Sequence, residues 1–344
     1  MRILMTGHHG YLGSVMAPHF RDAGHEVVGL DTDYFASCSL VAPDEVPGTK
    51  RDLRELRAAD LEGYDAVVHL GALSNDPIGN LNDRWTEEIN FEASVRLAEL
   101  AKDAGVPRFL FSSSCIMYGM SQAGVVDETS PLAPQTEYAR SKVKAEDAIR
   151  ELADESFAPV YLRNGTVYGV SPRMRFDTVL NDLVTQGLTT GKILVQGDGS
   201  PWRPVVHVED VAGAFLTVLE APVEKIHNEA FNTGADHFNH TVRDLAQIAG
   251  EVTGAEVEIL GSETADKRTY KASFAKFART FPEHVWRFEA RSGAQDLADK
   301  LTAAGVTHED YTGDRFIRLR WLNRLMQTGE LDESLRWTRE AVTA

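Results

Sequence analysis

The stretch that most limits what this chain can become lies at its start: a short apolar strand, a turn of three glycines, and a helix. Arg2 to Thr6 reads as the strand. Gly7-His8-His9-Gly10-Tyr11-Leu12-Gly13 reads as the turn, and Ser14 to Ala23 as a helix stopped by Gly24. A glycine-rich turn in that position brings backbone N–H groups and the positive end of a helix up to a pyrophosphate. Gly7, Gly10 and Gly13 leave room for the approach, with Tyr11 and Leu12 between them. A second apolar strand, Glu26 to Leu30, ends at Asp31. An acid there accepts bonds from ribose hydroxyls and repels a 2′-phosphate, so the expected cofactor is NAD rather than NADP. His8 and His9 are read as filling the turn.

A second constellation lies downstream. Tyr138 and Lys142 are four residues apart in a segment that reads as a helix, which puts them on one face, roughly 6 Å apart along the axis. A free phenol titrates too high to act as a base at neutral pH. A neighbouring ammonium favours the phenolate, so the pair suits a tyrosine that moves a proton for a substrate hydroxyl or carbonyl. Just upstream, Phe109-Leu110-Phe111-Ser112-Ser113-Ser114 reads as a buried strand running into hydroxyls, the place where open parallel sheets contact ligands.

Composition restricts the partners. The 344 residues are 43% hydrophobic and 25% charged, enough for a sizeable core. A formal charge of -17 argues against nucleic acid and anionic membranes as partners, and means that an anionic ligand needs a local basic pocket. Two cysteines, Cys38 and Cys115, cannot make a disulfide framework or a cysteine metal site, and no metal is expected. The apolar run at the N-terminus is too short for a signal peptide and no run approaches a membrane span, so the expected location is the cytoplasm.

The G-x-x-G-x-x-G spacing together with Y-x3-K resembles the extended short-chain dehydrogenase/reductase family, the NAD-dependent nucleotide-sugar epimerases and dehydratases. The resemblance covers most of the chain. Asp52-Leu53 is similar to the pair that the family sets beside the adenine. Asp65-Ala66-Val67-Val68-His69-Leu70-Gly71-Ala72 resembles its D-x-V-x-H-L-A-A strand, which ends beneath the cofactor, with Gly71 replacing an alanine. Asn90 stands where the family opens a helix at the cofactor. The stretch Ser112 to Gly119 resembles S-S-x-x-x-Y-G, which makes Ser114 the catalytic serine and Ser112 a cofactor neighbour. By the same match Tyr138 carries the proton and Lys142 holds the nicotinamide ribose. The family's dimers pair the Tyr138 and Asn90 helices, so a homodimer is implied.

The two residues after Ser114 narrow the chemistry within the resemblance. Sugar 4,6-dehydratases carry an Asp-Glu pair there, decarboxylases a Glu at the second place, and 3,5-epimerases a Cys at the second place. This chain has Cys115 and Ile116. Cys115 is either a reactive thiol facing the substrate or a small buried residue. A site so reduced resembles the 4-epimerases.

The second half resembles the family's substrate-binding cap. Asn164 to Gly169 is similar to N-x-Y-G, with Thr166 where an asparagine is usual. Arg175 and Asn181 begin the cap and, with Ser74, are implied in substrate contact. Gly197 to Val211 resembles G-x-G-x-x-R-D-F-x-H-V-x-D, which assigns Arg203 to the nucleotide diphosphate; Pro204 replaces the Asp, and His207 and Asp210 are read as fixing the turn. Lys267-Arg268 stands near the place of a second diphosphate arginine. Phe316, Leu319, Leu322, Leu325 and Met326 recur at helical spacing, an amphipathic helix expected to pack on the cap.

The expected fold is therefore α/β: a Rossmann-like doubly wound parallel sheet, from 1–170 plus about 205–235, with a smaller C-terminal α/β cap from about 171–204 plus 236–344. The expected activity is NAD-dependent epimerisation of a nucleotide-diphosphate sugar through a transient 4-keto sugar. A 4-ketoreductase or a dehydratase on the same scaffold, and a non-catalytic NAD sensor, remain the alternatives.

Overall fold

A computed structural model describes residues 1–74, 82–261 and 268–338. Its centre is a seven-stranded sheet. From edge to edge the strands are Glu229–Thr233, Ala158–Asn164, Arg108–Ser114, Ala66–His69, Arg2–Thr6, Glu26–Asp31 and Gly48–Lys50. Every pairing in it is parallel. The chain first moves outward from Arg2–Thr6 on one side, then returns to fill the other side. That reversal opens a crevice beyond the carboxyl ends of Arg2–Thr6 and Ala66–His69, where doubly wound sheets take their ligands.

Why these segments form such a sheet is visible in their burial. All of Ala66–His69 and all of Ala158–Asn164 are buried. Strands covered on both faces read as unbroken apolar runs. Alternate residues then serve opposite layers. Ile3 and Met5 pack under the helices Gly13–Asp22 and Val208–Glu220, with Met16, Phe20 and Phe215. Leu4 and Val67 face the other way, onto Ala93–Asp103 and Glu137–Arg150 through Leu97, Ala98 and Ile149.

The cap has its own core, in which Phe176, Leu180 and Val184 meet Leu245, Ala249, Leu297 and Leu301. Small sheets knit it to the main body, including Asn239–Thr241, Trp202–His207 and Thr166–Tyr168. His207 caps the helix Val208–Glu220 by accepting the Glu209 N–H at 3.3 Å, and Asp210 accepts the N–H groups of Arg287 and Phe288. Both residues fix the turn, as the sequence indicates.

Two elements differ from the sequence reading. Asn90 does not open a helix. It lies inside a π-helical segment, Glu87–Glu92, between Asp83–Thr86 and Ala93–Asp103. The tail also departs from the cap. Phe316 is seated in the cap core, but the helix Arg318–Gln327 carries Leu322 and Leu325 against Tyr34, Leu73 and Trp85 of the first half. Residues beyond it stay there. Trp337 donates to the Thr32 carbonyl at 2.6 Å, and Arg54 donates to the Ser334 carbonyl at 2.8 Å. The amphipathic stripe reports that the helix has a partner, not which one.

Candidate active site

A cleft of about 940 Å³ opens at the crevice, near the upper end of the range for small-molecule sites. The glycine turn forms its floor. Gly7 has φ +77°, and a Cβ there would stand 2.8 Å from the Gly71 nitrogen. A Cβ on Gly13 would stand 2.1 Å from the Gly7 carbonyl oxygen. The turn can therefore be this tight only with glycine at both places. The helix Gly13–Asp22 that leaves it has no side-chain cap; its Ser14 and Val15 N–H groups donate to the Gly10 and Leu12 carbonyls, and its positive end faces the turn.

The end of the cleft where the sequence places the adenosine is organised by carboxylates. Asp31 accepts the N–H groups of His9 at 3.0 Å and Asp33 at 2.9 Å, and burial raises its pKa. Asp52 caps the turn Leu53–Glu55 and is paired with Arg54 at 2.6 Å. His8 fills a slot over Gly29 and Gly48, where an added Cβ would lie 2.0 and 2.6 Å from its ring. Burial lowers the His8 pKa to about 4, so it stays neutral. His9 is tied to Asp33 at 2.6 Å. Both histidines build the turn.

A buried chain of hydrogen bonds holds the strand end under the cleft. Ser94 Oγ donates to the Asn90 carbonyl at 2.7 Å. It must then accept from His69 Nε2, 2.8 Å away, which leaves His69 Nδ1 to accept from Thr6 Oγ1 at 2.6 Å. Burial lowers the His69 pKa to about 3, consistent with one neutral tautomer. The Asn90 side chain accepts the Leu73 N–H at 2.8 Å and donates to the Leu73 carbonyl at 3.1 Å.

The groups expected to handle the proton stand on the strand Arg108–Ser114 and the helix Glu137–Arg150. Ser114, Tyr138 and Lys142 all line the cleft. Ser114 ends the strand Arg108–Ser114, and its Oγ accepts the Ile116 N–H at 3.3 Å, leaving the hydroxyl proton to donate. Thr136 caps the helix Glu137–Arg150 by accepting the Ala139 N–H at 3.1 Å, which sets Tyr138 in the first turn. Lys142 lies one turn on, with Nζ 5.9 Å from the Tyr138 ring centre and 4.5 Å from that of Phe111. Nζ donates to the Ser112 carbonyl at 2.8 Å. Burial lowers the Lys142 pKa to about 7, opposed by Glu146 on the same helix.

The cleft's charge opposes that of the molecule. Among the described residues it is lined by Arg51, Lys142, Arg175, Arg203, Arg268 and Arg318, against the carboxylates Asp31, Asp52 and Asp177. This is the local basic pocket that an anionic ligand requires in so acidic a chain.

The model of the NAD dependent epimerase/dehydratase family matches residues 3–234. The chain belongs to that family. It is 27% identical to the UDP-glucose 4-epimerase of Corynebacterium glutamicum, over 88% of this chain and all of that protein. Among solved structures, MoeE5 in complex with UDP-glucuronic acid and NAD superposes with a TM-score of 0.77 at 25% identity, covering 89% of this chain and 100% of the other. The dTDP-glucose 4,6-dehydratase DesIV of Streptomyces venezuelae gives a TM-score of 0.76 at 25% identity, covering 88% and 97%. This epimerase/dehydratase is an NAD-dependent enzyme.

The residues present fit that cofactor. The bare glycine floor admits a pyrophosphate, and Asp31 and Asp52-Leu53 border the adenosine end. Gly10, Tyr11, Leu12, Leu70, Gly71 and Ala72 line the same cleft, as does Ser112. Ser74, Thr166, Arg175, Arg203 and Arg268 line it from the strand end and the cap. Arg203 donates to the Arg268 carbonyl, so the two are brought together across 65 residues of sequence. Lys267 lies outside the described residues.

Three site expectations are corrected. Asn90 is buried and does not line the cleft; it holds the Leu73 backbone instead of a cofactor. Asn181 is also fully buried. It is spent on the Gly169 N–H, the Tyr11 hydroxyl and the Arg175 carbonyl, tying the turn to the cap rather than touching substrate. Cys115 points away from the cleft, donates to the Arg163 carbonyl, and has its pKa raised by burial. It is the small buried residue of the two readings, not a substrate-facing thiol. Sequence reasoning missed Tyr34, Phe35, Tyr270 and Arg318, which also line the cleft. Tyr270 stands two places after Arg268 and could have been found with it. The others are recruited by tail packing, which leaves no local pattern.

Proposed function

We propose that this enzyme inverts a nucleotide-diphosphate sugar at C4. NAD, when bound, supplies a hydride acceptor at the sugar carbon and returns the hydride to it. The chain's own residues do the rest. Tyr138 takes the proton of the C4 hydroxyl and restores it to the same oxygen. Ser114 donates a hydrogen bond to that oxygen, where charge develops. Lys142 supplies the cation beside Tyr138. Arg203 and Arg268 hold the diphosphate, where guanidinium groups suit paired oxygens.

One observation carries inversion over dehydration. The wall after Ser114 holds no proton-transfer group: Ile116 lines the cleft and Cys115 is turned away. Among the described residues the lining carboxylates are engaged elsewhere, Asp31 on the His9 N–H, Asp52 on Arg54 and Asp177 on Arg175 at 2.8 Å. Eliminating water from a sugar needs an acid and a base beyond the tyrosine. The relatives that act on or bind UDP-glucose and UDP-glucuronic acid give the first substrates to try.

The test is incubation with UDP-glucose and UDP-glucuronic acid in deuterated water, followed by NMR. The expected result is C4 inversion without deuterium in the sugar, without net reduced cofactor, and lost by about 10²–10⁴-fold in Tyr138→Phe. Loss of water would establish a dehydratase, and stoichiometric use of added reduced cofactor a ketoreductase.

A further inference from the structure

The C-terminal tail brings a buried cation to the cofactor end of the cleft. Arg318 is 4% exposed and lines the cleft. Its guanidinium carbon lies over the Phe35 ring, 4.1 Å from the ring centre. Nη2 donates to the Arg173 carbonyl at 2.7 Å, while Nη1 is buried with no partner among the described residues. Arg173 and Arg175 stand beside it, and Arg173 also has a buried nitrogen, Nε, with no partner among the described residues. Against these three guanidinium groups stands Asp177, paired to Arg175 at 2.8 Å and accepting the Arg318 N–H at 3.4 Å. An under-partnered cation in a dry wall is costly, and an anion placed against it removes that cost.

The same wall meets the glycine turn. Asn181 joins the two by donating to the Arg175 carbonyl at 2.9 Å and to the hydroxyl of Tyr11 at 3.1 Å, and Tyr11 is flanked by Gly10 and Leu12 of the cleft floor. Phe35 follows Asp31 by four residues and lines the cleft with it. Arg203 and Arg268 form a separate pair in the cleft wall, joined by the bond from Arg203 to the Arg268 carbonyl.

We propose that Arg318 is a cofactor ligand supplied by the tail, whose unpartnered Nη1 donates to the pyrophosphate of the bound dinucleotide. The tail then does more than cover apolar surface: it delivers one of the charges that retain NAD. This assignment rests on the NAD site and is independent of which sugar reaction the enzyme performs.

The test compares wild type, Arg318→Met and Arg318→Lys by calorimetric titration of cofactor-free protein with NAD and, separately, with UDP as the probe of the other diphosphate site. Denaturation midpoints are read with and without NAD. The expected loss for Arg318→Met is about tenfold to a hundredfold in NAD affinity, the range of one charge-assisted hydrogen bond, with UDP affinity within about twofold of wild type. The cofactor-free midpoint should hold or rise, because a poorly partnered buried charge is gone, while the shift produced by NAD shrinks. Unchanged NAD affinity overturns the proposal. So does a loss confined to UDP, which would place Arg318 on the substrate diphosphate, and so does an equal loss of both. If the cofactor-free midpoint falls, Arg318→Lys decides. Recovery of NAD affinity toward wild type supports the charge; affinity no better than Arg318→Met overturns it.

Discussion

Lys142 is the residue whose environment matters most to the chemistry. Burial lowers its pKa to about 7 from an ordinary value of 10.5. Between those values the unfolded chain binds a proton that the folded chain does not, so this residue makes stability rise with pH across that window. Lys142→Met removes the penalty. In cofactor-free protein the variant should exceed wild type most at pH 6, and the gap should narrow above pH 7 by about 1.4 kcal/mol per pH unit. Urea midpoints at pH 6, 8 and 9.5 check this; a gap independent of pH would mean that the amine is solvated. Cys115 gives the opposite kind of prediction. Cys115→Ala should leave turnover within about twofold and cost about 1–3 kcal/mol of stability, because the Arg163 carbonyl loses its buried donor. Inactivation of native wild type by a small thiol reagent, prevented in that variant, would contradict the buried assignment. Sequence served these residues unequally. Tyr138 and Lys142 are legible because helical periodicity alone puts them on one face. Cys115 and Asn181 are not, because the groups that claim them, Arg163 and Asn232 on strands and Tyr11 in the glycine turn, are distant in sequence.

The glycine turn is the element on which the cofactor site rests. Gly7 and Gly24 both have positive φ, +77° and +92°, but only Gly7 has neighbours where a Cβ would go. Gly24→Ala should cost backbone strain of about 1–2 kcal/mol and leave NAD binding intact. Gly7→Ala should add a collision with Gly71 and lower NAD affinity at least tenfold; equal NAD affinity in the two variants, measured by titration, would show that the close approach is not required. The turn was legible because tight βα turns demand glycine. The Leu70–Leu73 strand end was only half legible. Its apolar run announces a buried strand, but Asn90 supports it from a π-helical segment, a distortion that composition does not encode.

At the scale of the whole molecule, an acidic chain encloses a basic cleft. The first half and the cap supply most of it, and the tail crosses back beside it, with Trp337 on the Thr32 carbonyl, Ser334 on Arg54, and Arg318 in the lining. The doubly wound sheet followed from alternating strands and helices, whereas the path of the tail depended on aromatic partners, Tyr34, Phe35 and Trp85, that lie some 230 to 300 residues earlier. The proposed reaction requires that, beside one tyrosine on one face of this cleft, a hydrogen leaves a carbon and returns to the same carbon. UDP-glucose carrying deuterium at C4, turned over in ordinary water, tests it most directly. The expected result is an inverted product that keeps the label at C4. Label lost to solvent, or found at C6 in a product that has lost water, would contradict it.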